Sequence, residues 1–202
     1  MKKILLATNN QGKLQELRSL ISGKSWEFTT PAEQGIHMSV NETGVTFEAN
    51  AVLKAKAYAK AADLITLADD SGLEVNALNG EPGVFSARYG GPDATDKERN
   101  EYLLSNLSEV PWENRKARFR CVIAIIFPDG ELVLCKGDCP GMIAFEPKGE
   151  NGFGYDPIFW LPSFNKTMAE LAIDEKNEIS HRGKAARQAQ LFLTDVLEKL
   201  QE

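Results

Sequence analysis

A chain of 202 residues with 43% hydrophobic and 26% charged side chains has the composition of an ordinary globular protein, which excludes disorder as its main state. A formal net charge of −6 argues against broad nucleic-acid binding, which needs a cationic face, yet a few local lysines and arginines suffice for an anionic small molecule. No stretch approaches the roughly 20 apolar residues of a membrane span.

The apolar run at residues 4–8 is too short for a signal-peptide core and reads as part of a strand over residues 3–8. Residues 13–21 come next as a helix with Leu14, Leu17, Leu20 and Ile21 on one side. Between them lies Thr8-Asn9-Asn10-Gln11-Gly12-Lys13. Backbone N–H groups and the helix dipole make such a junction a ready anion site. Lys13 on the first turn is locally unfavourable, and a bound anion would make sense of it. The GxxxxGK[ST] spacing is absent, and a plain Asn/Gly turn is the other reading. Residues 26–30 are a short strand candidate. Residues 46–62 read as a helix with Phe47, Ala51, Lys54 and Tyr58 on one face and Asn50 beside them. A lysine in that stripe either snorkels to the edge or points at a specific anion, whereas Lys56 and Lys60 read as solvated.

The strand at residues 64–68 runs into Asp69-Asp70-Ser71-Gly72. A buried strand of an open α/β sheet delivers the residues after it to the carboxyl edge, where ligands bind. Adjacent carboxylates there suit a hard divalent cation such as Mg²⁺. Alternation aims Asp69 and Asp70 at opposite faces if the strand persists, so only one would face the site. Asp-Ser-Gly is also ordinary turn chemistry, which leaves a solvated turn open. Thr95-Asp96-Lys97-Glu98 is a capping box opening a helix to about Leu107.

Residues 117–127 and 131–137 are β-rich and joined by the turn Pro128-Asp129-Gly130. The run Gly149-Glu150-Asn151-Gly152-Phe153-Gly154-Tyr155-Asp156-Pro157 is not the GxGxxG dinucleotide fingerprint. Two aromatics among glycines suit a flat ligand, or they tuck inward beneath a tight loop. An amphipathic helix over residues 180–200 closes the chain, with Ala185, Ala189, Phe192, Val196 and Leu200 along one side. Ser180 can cap it. His181, Arg182 and Lys184 then crowd its positive end, a broken local rule that either serves a ligand or marks a solvated basic turn. Cys121, Cys135 and Cys139 form no CxxC pair and have only His37 and His181 as imidazole partners, so reduced thiols in a cytoplasmic protein are expected rather than a zinc site. Strand–helix alternation and then a hairpin predict an α/β fold with a mixed sheet, in one domain over residues 1–202. Acids, cations and aromatics together suggest a Mg²⁺-nucleotide.

The ordered motifs are Thr8-Asn9-Asn10-x-x-Lys13, Glu42-Thr43-Gly44 with Thr46-Phe47-x-x-Asn50-Ala51-x-x-Lys54-Ala55, and Ala68-Asp69-Asp70-Ser71-Gly72-Leu73. They continue as Pro82-Gly83-Val84-x-Ser86-Ala87-Arg88-Tyr89, Gly152-Phe153-Gly154-Tyr155-Asp156-Pro157-Ile158-Phe159 and Lys176-Asn177-x-Ile179-Ser180-His181-Arg182. With these, the chain resembles the inosine triphosphate pyrophosphatase family over essentially its whole length. The resemblance implies an elongated two-lobed α/β fold with a central mixed sheet, flanking helices, a cleft between the lobes and a homodimer. It implies Mg²⁺-dependent hydrolysis of non-standard purine nucleoside triphosphates (ITP, dITP, XTP) to monophosphate and pyrophosphate. By the same resemblance, Thr8, Asn9, Asn10, Gln11, Gly12, Lys13 and Lys54 bind the phosphates. Glu42 and Asp70 hold the metal, with Asp69 a further candidate; Asp70 also activates water, and Ser71 supports the site. Phe153, Gly154, Tyr155, Asp156, Lys176, His181 and Arg182 form the nucleoside end. There, donors from Lys176, Arg182 or loop N–H groups would pair with a 6-oxo acceptor and mismatch the amino group of adenine. The rival readings are a Maf-like pyrophosphatase for modified pyrimidine nucleotides and a nucleotide-sensing module without turnover.

Overall fold

A computed structural model describes residues 1–199. Strand β1 (Lys2–Leu6) leads through helix α1 (Gln11–Leu20) to β2 (Trp26–Thr29), which pairs with it in parallel. After α2 (Phe47–Ala62), β3 (Ile65–Val75) pairs in parallel on the other side of β1. Helix α3 (Asp96–Asn106) precedes β4 (Lys116–Ile126) and β5 (Leu132–Ile143). The tight turn between these two strands has Gly130 at φ 94, its N–H donating to the Phe127 carbonyl at 2.9 Å. Strand β6 (Phe159–Leu161) adds antiparallel to β5 and β7 (Lys166–Thr167) antiparallel to β6, and the chain continues into α4 (Ile173–Ile179) and α5 (His181–Lys199). The sheet order is β2-β1-β3-β4-β5-β6-β7, a mixed α/β arrangement of the kind the alternation predicts.

The chain divides into two compact units. One comprises Met1–Asp70, Cys121–Gly137 and the chain from Arg182 onward; the other comprises Ser71–Arg120 and Asp138–His181. The first has a core of Ile4, Leu6, Leu17, Ile21, Trp26, Leu67, Ile123 and Ile125 beneath α5. The second is built on Leu73, Val75, Leu103, Leu107, Phe119, Ile158 and Phe159.

Several elements differ from their sequence reading. β3 does not end at the two carboxylates but continues through Ser71 and Gly72 to Val75. Leu73 and Val75 are fully buried, and at about 1.5–3 kcal/mol each that burial outweighs the turn preference of the residues before them. β5 likewise runs on past Gly137 to Ile143, because Cys139 and Ile143 enter the second core. Gly141 permits this passage, since a Cβ there would lie 2.6 Å from the Phe159 ring. The buried stripe of α5 is Ala185, Ala186, Ala189, Leu193 and Leu197, rotated from the expected one, with Phe192 and Val196 only half-buried. Leu200 lies outside the described residues. The short elements β6, β7 and α4 carry too little periodicity to be read from sequence.

All three cysteines are free and buried. Burial, reinforced by the charge of Asp69, pushes the Cys121 thiol up to about 12, and burial pushes Cys135 up to about 11. At pH 8 the native protein is therefore expected to resist Ellman's reagent, with all three thiols reacting in guanidinium. Prompt native labelling would contradict this burial. Among the described residues no helix is long and apolar enough to cross a membrane.

Candidate active site

In the first unit, β1 hands the chain to α1 through Thr8, Asn9 and Asn10. Asn10 caps the helix, its Oδ1 accepting from the Lys13 N–H at 3.0 Å, and Thr8 Oγ1 accepts from the Asn10 N–H at 3.2 Å. Gln11 and Gly12 form the first turn, which contains no acidic side chain. The cation it carries, Lys13, is answered from within the chain, with Nζ 2.9 Å from Asp69 Oδ2. Arg182, at the start of α5, is answered the same way. It bonds Glu16 of α1 and lies 3.7 Å from Asp69, and all three side chains are buried. Two of the cations that break the macrodipole rule, Lys13 and Arg182, thus face buried carboxylates of the same unit. Burial alone would push the Asp69 carboxyl up; Lys13, Arg182 and Lys54 more than offset it and hold it well below the usual carboxylate range.

Asp70 projects from the opposite face of β3, as alternation requires, toward α2. Thr46 caps that helix by accepting from the Ala49 N–H at 3.1 Å. The segment before it is tied down twice. Asn50 Oδ1 accepts from Gly44 N–H at 2.8 Å, and Tyr58 Oη donates to the Met38 carbonyl at 2.8 Å. Glu42 is thereby held over α2, where Lys54 Nζ sits 2.6 Å from Glu42 Oε1 and 3.8 Å from Asp70 Oδ1. Lys54 does not snorkel, because its side chain is only 14% exposed and lies between two acids. Burial would lower its pKa, but Asp69, Asp70 and Glu42 raise it. Asp70 moves the other way from Asp69. Burial raises its pKa against the pull of Lys54 and Lys13, with Glu42 adding to the rise and Asn50 opposing it. Glu42, Asp70, Lys13 and Lys54 therefore belong to one cluster.

The donor set of Glu42 and Asp70 suits a hard divalent cation. Such ions are often held by one or two carboxylates, with waters and substrate oxygens completing the shell. Among the described residues no three His, Cys, Asp or Glu side chains gather to hold a metal by themselves. Asp69 is a poor third ligand, since its carboxylate is already committed to Lys13 and Arg182.

The second unit carries the glycine-rich loop. Asp156 is buried, and its Oδ2 accepts from the Phe153 N–H at 2.9 Å and from Lys176 Nζ at 2.6 Å. Gly152 makes that pair possible. At φ 77 it occupies the left-handed region, and a Cβ there would lie 2.0 Å from the carboxylate. Lys176 Nζ also sits 5.1 Å from the centroid of the half-buried Phe153 ring, within cation–π range. Tyr155 takes the inward alternative of the two readings of this loop. Its ring lies in the second core and its hydroxyl donates to the Ser86 carbonyl at 2.9 Å, so it is tucked inward. His181 is buried and stacked on Phe119, with centroids 4.6 Å apart and planes at 12°.

The Ham1 family model matches residues 4–192. The chain belongs to the Ham1 family. A dITP/XTP pyrophosphatase of Thermus thermophilus is 51% identical over 185 residues, 92% of this chain and 88% of that protein. One of Desulforamulus reducens is 49% identical, covering 95% of each chain. A solved HAM1 protein from Coxiella burnetii superposes with a TM-score of 0.89 at 46% identity, covering 96% of this chain and all of the other.

Within this Ham1-family chain, residues 8–13, Glu42, Lys54, Asp69 and Asp70 fall in the first unit, and Phe153, Gly154, Tyr155, Asp156, Lys176 and His181 in the second. Ser71 comes directly after Asp70 on β3 and is half-buried. Arg182, expected with the nucleoside group, falls in the first unit and contacts Glu16 and Asp69. Sequence reasoning missed Glu16 altogether. Its signal was its place three residues after Lys13, on the same face of α1 beside buried Leu17.

Proposed function

We propose that the chain hydrolyses non-standard purine nucleoside triphosphates, ITP, dITP and XTP, to the monophosphate and pyrophosphate with Mg²⁺ as cofactor. The observation that carries this reading is the first unit's cluster of two lysines with two differently tuned aspartates. Asp69, held ionised, fixes Lys13 and Arg182. Asp70, paired less closely, with Lys54 3.8 Å away, is the better placed proton acceptor. Asp70 takes the proton of the attacking water, whose oxygen bonds to the α-phosphorus as the α–β bridging bond breaks. Pyrophosphate leaves with the bridging oxygen. Lys13 and Lys54 stabilise the charge on that leaving group, and Lys54 keeps its proton because three acids surround it. Asn10 and the first-turn N–H groups of α1 add donors for phosphate oxygens. Glu42 and Asp70 would hold Mg²⁺, which would supply Lewis-acid neutralisation of the phosphoryl oxygens.

At the base end, the Phe153 ring offers a stacking face and Lys176 a donor for the 6-oxo group. Arg182 is assigned to positioning instead, since its guanidinium is committed to Glu16 and Asp69. A donor set matched to a 6-oxo purine can disfavour a 6-amino one by up to about 10⁴-fold. We place the activity in the cytoplasm, supported by the reduced cysteines, and in a homodimer, supported by the sequence resemblance alone.

Incubation with Mg²⁺ and ITP, dITP, XTP, ATP, GTP, dTTP or UTP, and then separation of pyrophosphate from orthophosphate, tests the reading. Pyrophosphate and monophosphate from ITP, dITP and XTP are expected, with ATP far slower. Orthophosphate with a diphosphate, or equal turnover of ATP and ITP, would overturn it. Preference for a pyrimidine nucleotide would favour the Maf-like alternative, and stoichiometric ITP binding without product would indicate a sensing module.

A further inference from the structure

We infer that Asp96 and Asn100, one turn apart on α3, are positioning residues that set base selectivity by fixing the peptide groups on either side of Gly154. The inference rests on the reading of residues 153–156 and Lys176 as the base end. Gly154 lies at φ 64, and both of its backbone polar groups are held by α3. Its N–H donates to Asp96 Oδ2 at 2.7 Å, and its carbonyl accepts from Asn100 Nδ2 at 3.1 Å.

The clamp is itself braced. The other oxygen of Asp96 pairs with Arg99, which also donates to the Ala87 carbonyl at 3.0 Å and to that of Ala94. Ala87 belongs to the turn Gly83–Arg88, which also supplies the Ser86 carbonyl for Tyr155. Loop and helix thus share one frame within the second unit.

Peptide geometry carries the consequence. In a trans peptide the N–H and C=O point in opposite directions. Holding the Gly154 carbonyl on Asn100 turns the Tyr155 N–H away from α3. Holding the Gly154 N–H on Asp96 turns the Phe153 carbonyl away, and that carbonyl accepts from the Asp156 N–H at 3.3 Å. Asp156 in turn binds the Phe153 N–H and Lys176. The clamp therefore sets the Phe153 ring, the Tyr155 N–H donor and the carboxylate that holds Lys176. A 6-oxo and a 6-amino purine differ by the polarity of one group, so small displacements of these donors alter the choice between them. Asn100 is 6% exposed, and its Oδ1 makes no hydrogen bond among the described residues. A buried acceptor left unsatisfied is a cost that a residue kept only for packing would not carry.

The test compares ITP and ATP turnover in Asn100→Ala and Asp96→Ala. Asp96 stands at the exposed first turn with the Thr95–Glu98 capping box beside it, so its variant keeps the helix start and carries the test if Asn100→Ala fails to fold. The expected result is a tenfold or greater fall in the ITP to ATP ratio of kcat/KM, with ATP turnover changed less than twofold. Faster exchange of the Gly154 amide proton should accompany it. Losses on ITP and ATP in equal proportion would mark a merely structural role and overturn the inference, as would an unchanged ratio in folded Asp96→Ala. Wild-type protein inactive on ITP would instead overturn the proposed function, and this inference with it.

Discussion

Asp70→Asn is expected to lose turnover by about 10²–10⁴-fold, the usual share of a general base, and at the same time to raise Tm at pH 7. The second half of this result is the more demanding. Burial and the charge of Glu42 raise the Asp70 pKa in the folded chain despite Lys54 and Lys13. A carboxyl whose folded pKa lies above its unfolded value contributes stability that is fully present below the unfolded pKa. That contribution is lost as pH rises through the folded pKa. At neutral pH the ionised Asp70 is therefore a net cost, and a neutral amide of the same shape removes it. The gain should shrink as pH falls below about 4, where the wild-type carboxyl is itself protonated. Melting curves in the presence of a chelator, at pH 7 and pH 3.5, measure both points. A lowered Tm at pH 7 would mean that the pairing with Lys54 outweighs burial, and near-normal turnover would remove Asp70 from the chemistry. Stability given up at a reacting group is a common feature of active sites.

The cations and acids of this cluster were legible one at a time, because each breaks a local rule. Lys13 and Arg182 sit at the wrong end of a helix dipole, Lys54 interrupts an apolar stripe, and Asp69 and Asp70 end a strand-like run. What pairs them was not legible. Glu16 and Arg182 are 166 residues apart, and no local periodicity joins α1 to α5. Their meeting depends on helices brought together by Leu17, Ala185 and Ala189 in one core. The strand at Asp69 was under-read for the converse reason. Ser71 and Gly72 carry a strong local turn signal, and only burial of Leu73 and Val75 in the second unit overrides it. The glycine loop shows both outcomes. Its irregular spacing correctly excluded a dinucleotide fold. Whether its aromatics faced outward depended on a hydrogen bond from Tyr155 to a carbonyl 69 positions earlier.

Asp69→Asn, one residue from Asp70 on the same strand, should do the opposite to stability. Its carboxylate is fully desolvated, with Lys13 at 2.9 Å and Arg182 at 3.7 Å. Removing one member of a buried ion pair leaves the others uncompensated, at a cost of about 3–5 kcal/mol. Arg182 retains Glu16, so Lys13 bears most of that loss. Here the folded pKa is depressed, so the stabilisation is present above the unfolded pKa and is lost as pH falls through the folded one. Urea denaturation should show a large deficit for Asp69→Asn at pH 7 that narrows below about pH 4. The double variant Lys13→Met with Asp69→Asn should recover part of the deficit, since it removes the stranded cation as well. Turnover should fall in both, because Lys13 loses either its anchor or its charge. A deficit independent of pH, or one no larger for Asp69→Asn than for Asp70→Asn, would show that the two faces of β3 are not electrostatically distinct. The division of labour proposed for the two aspartates would then fail.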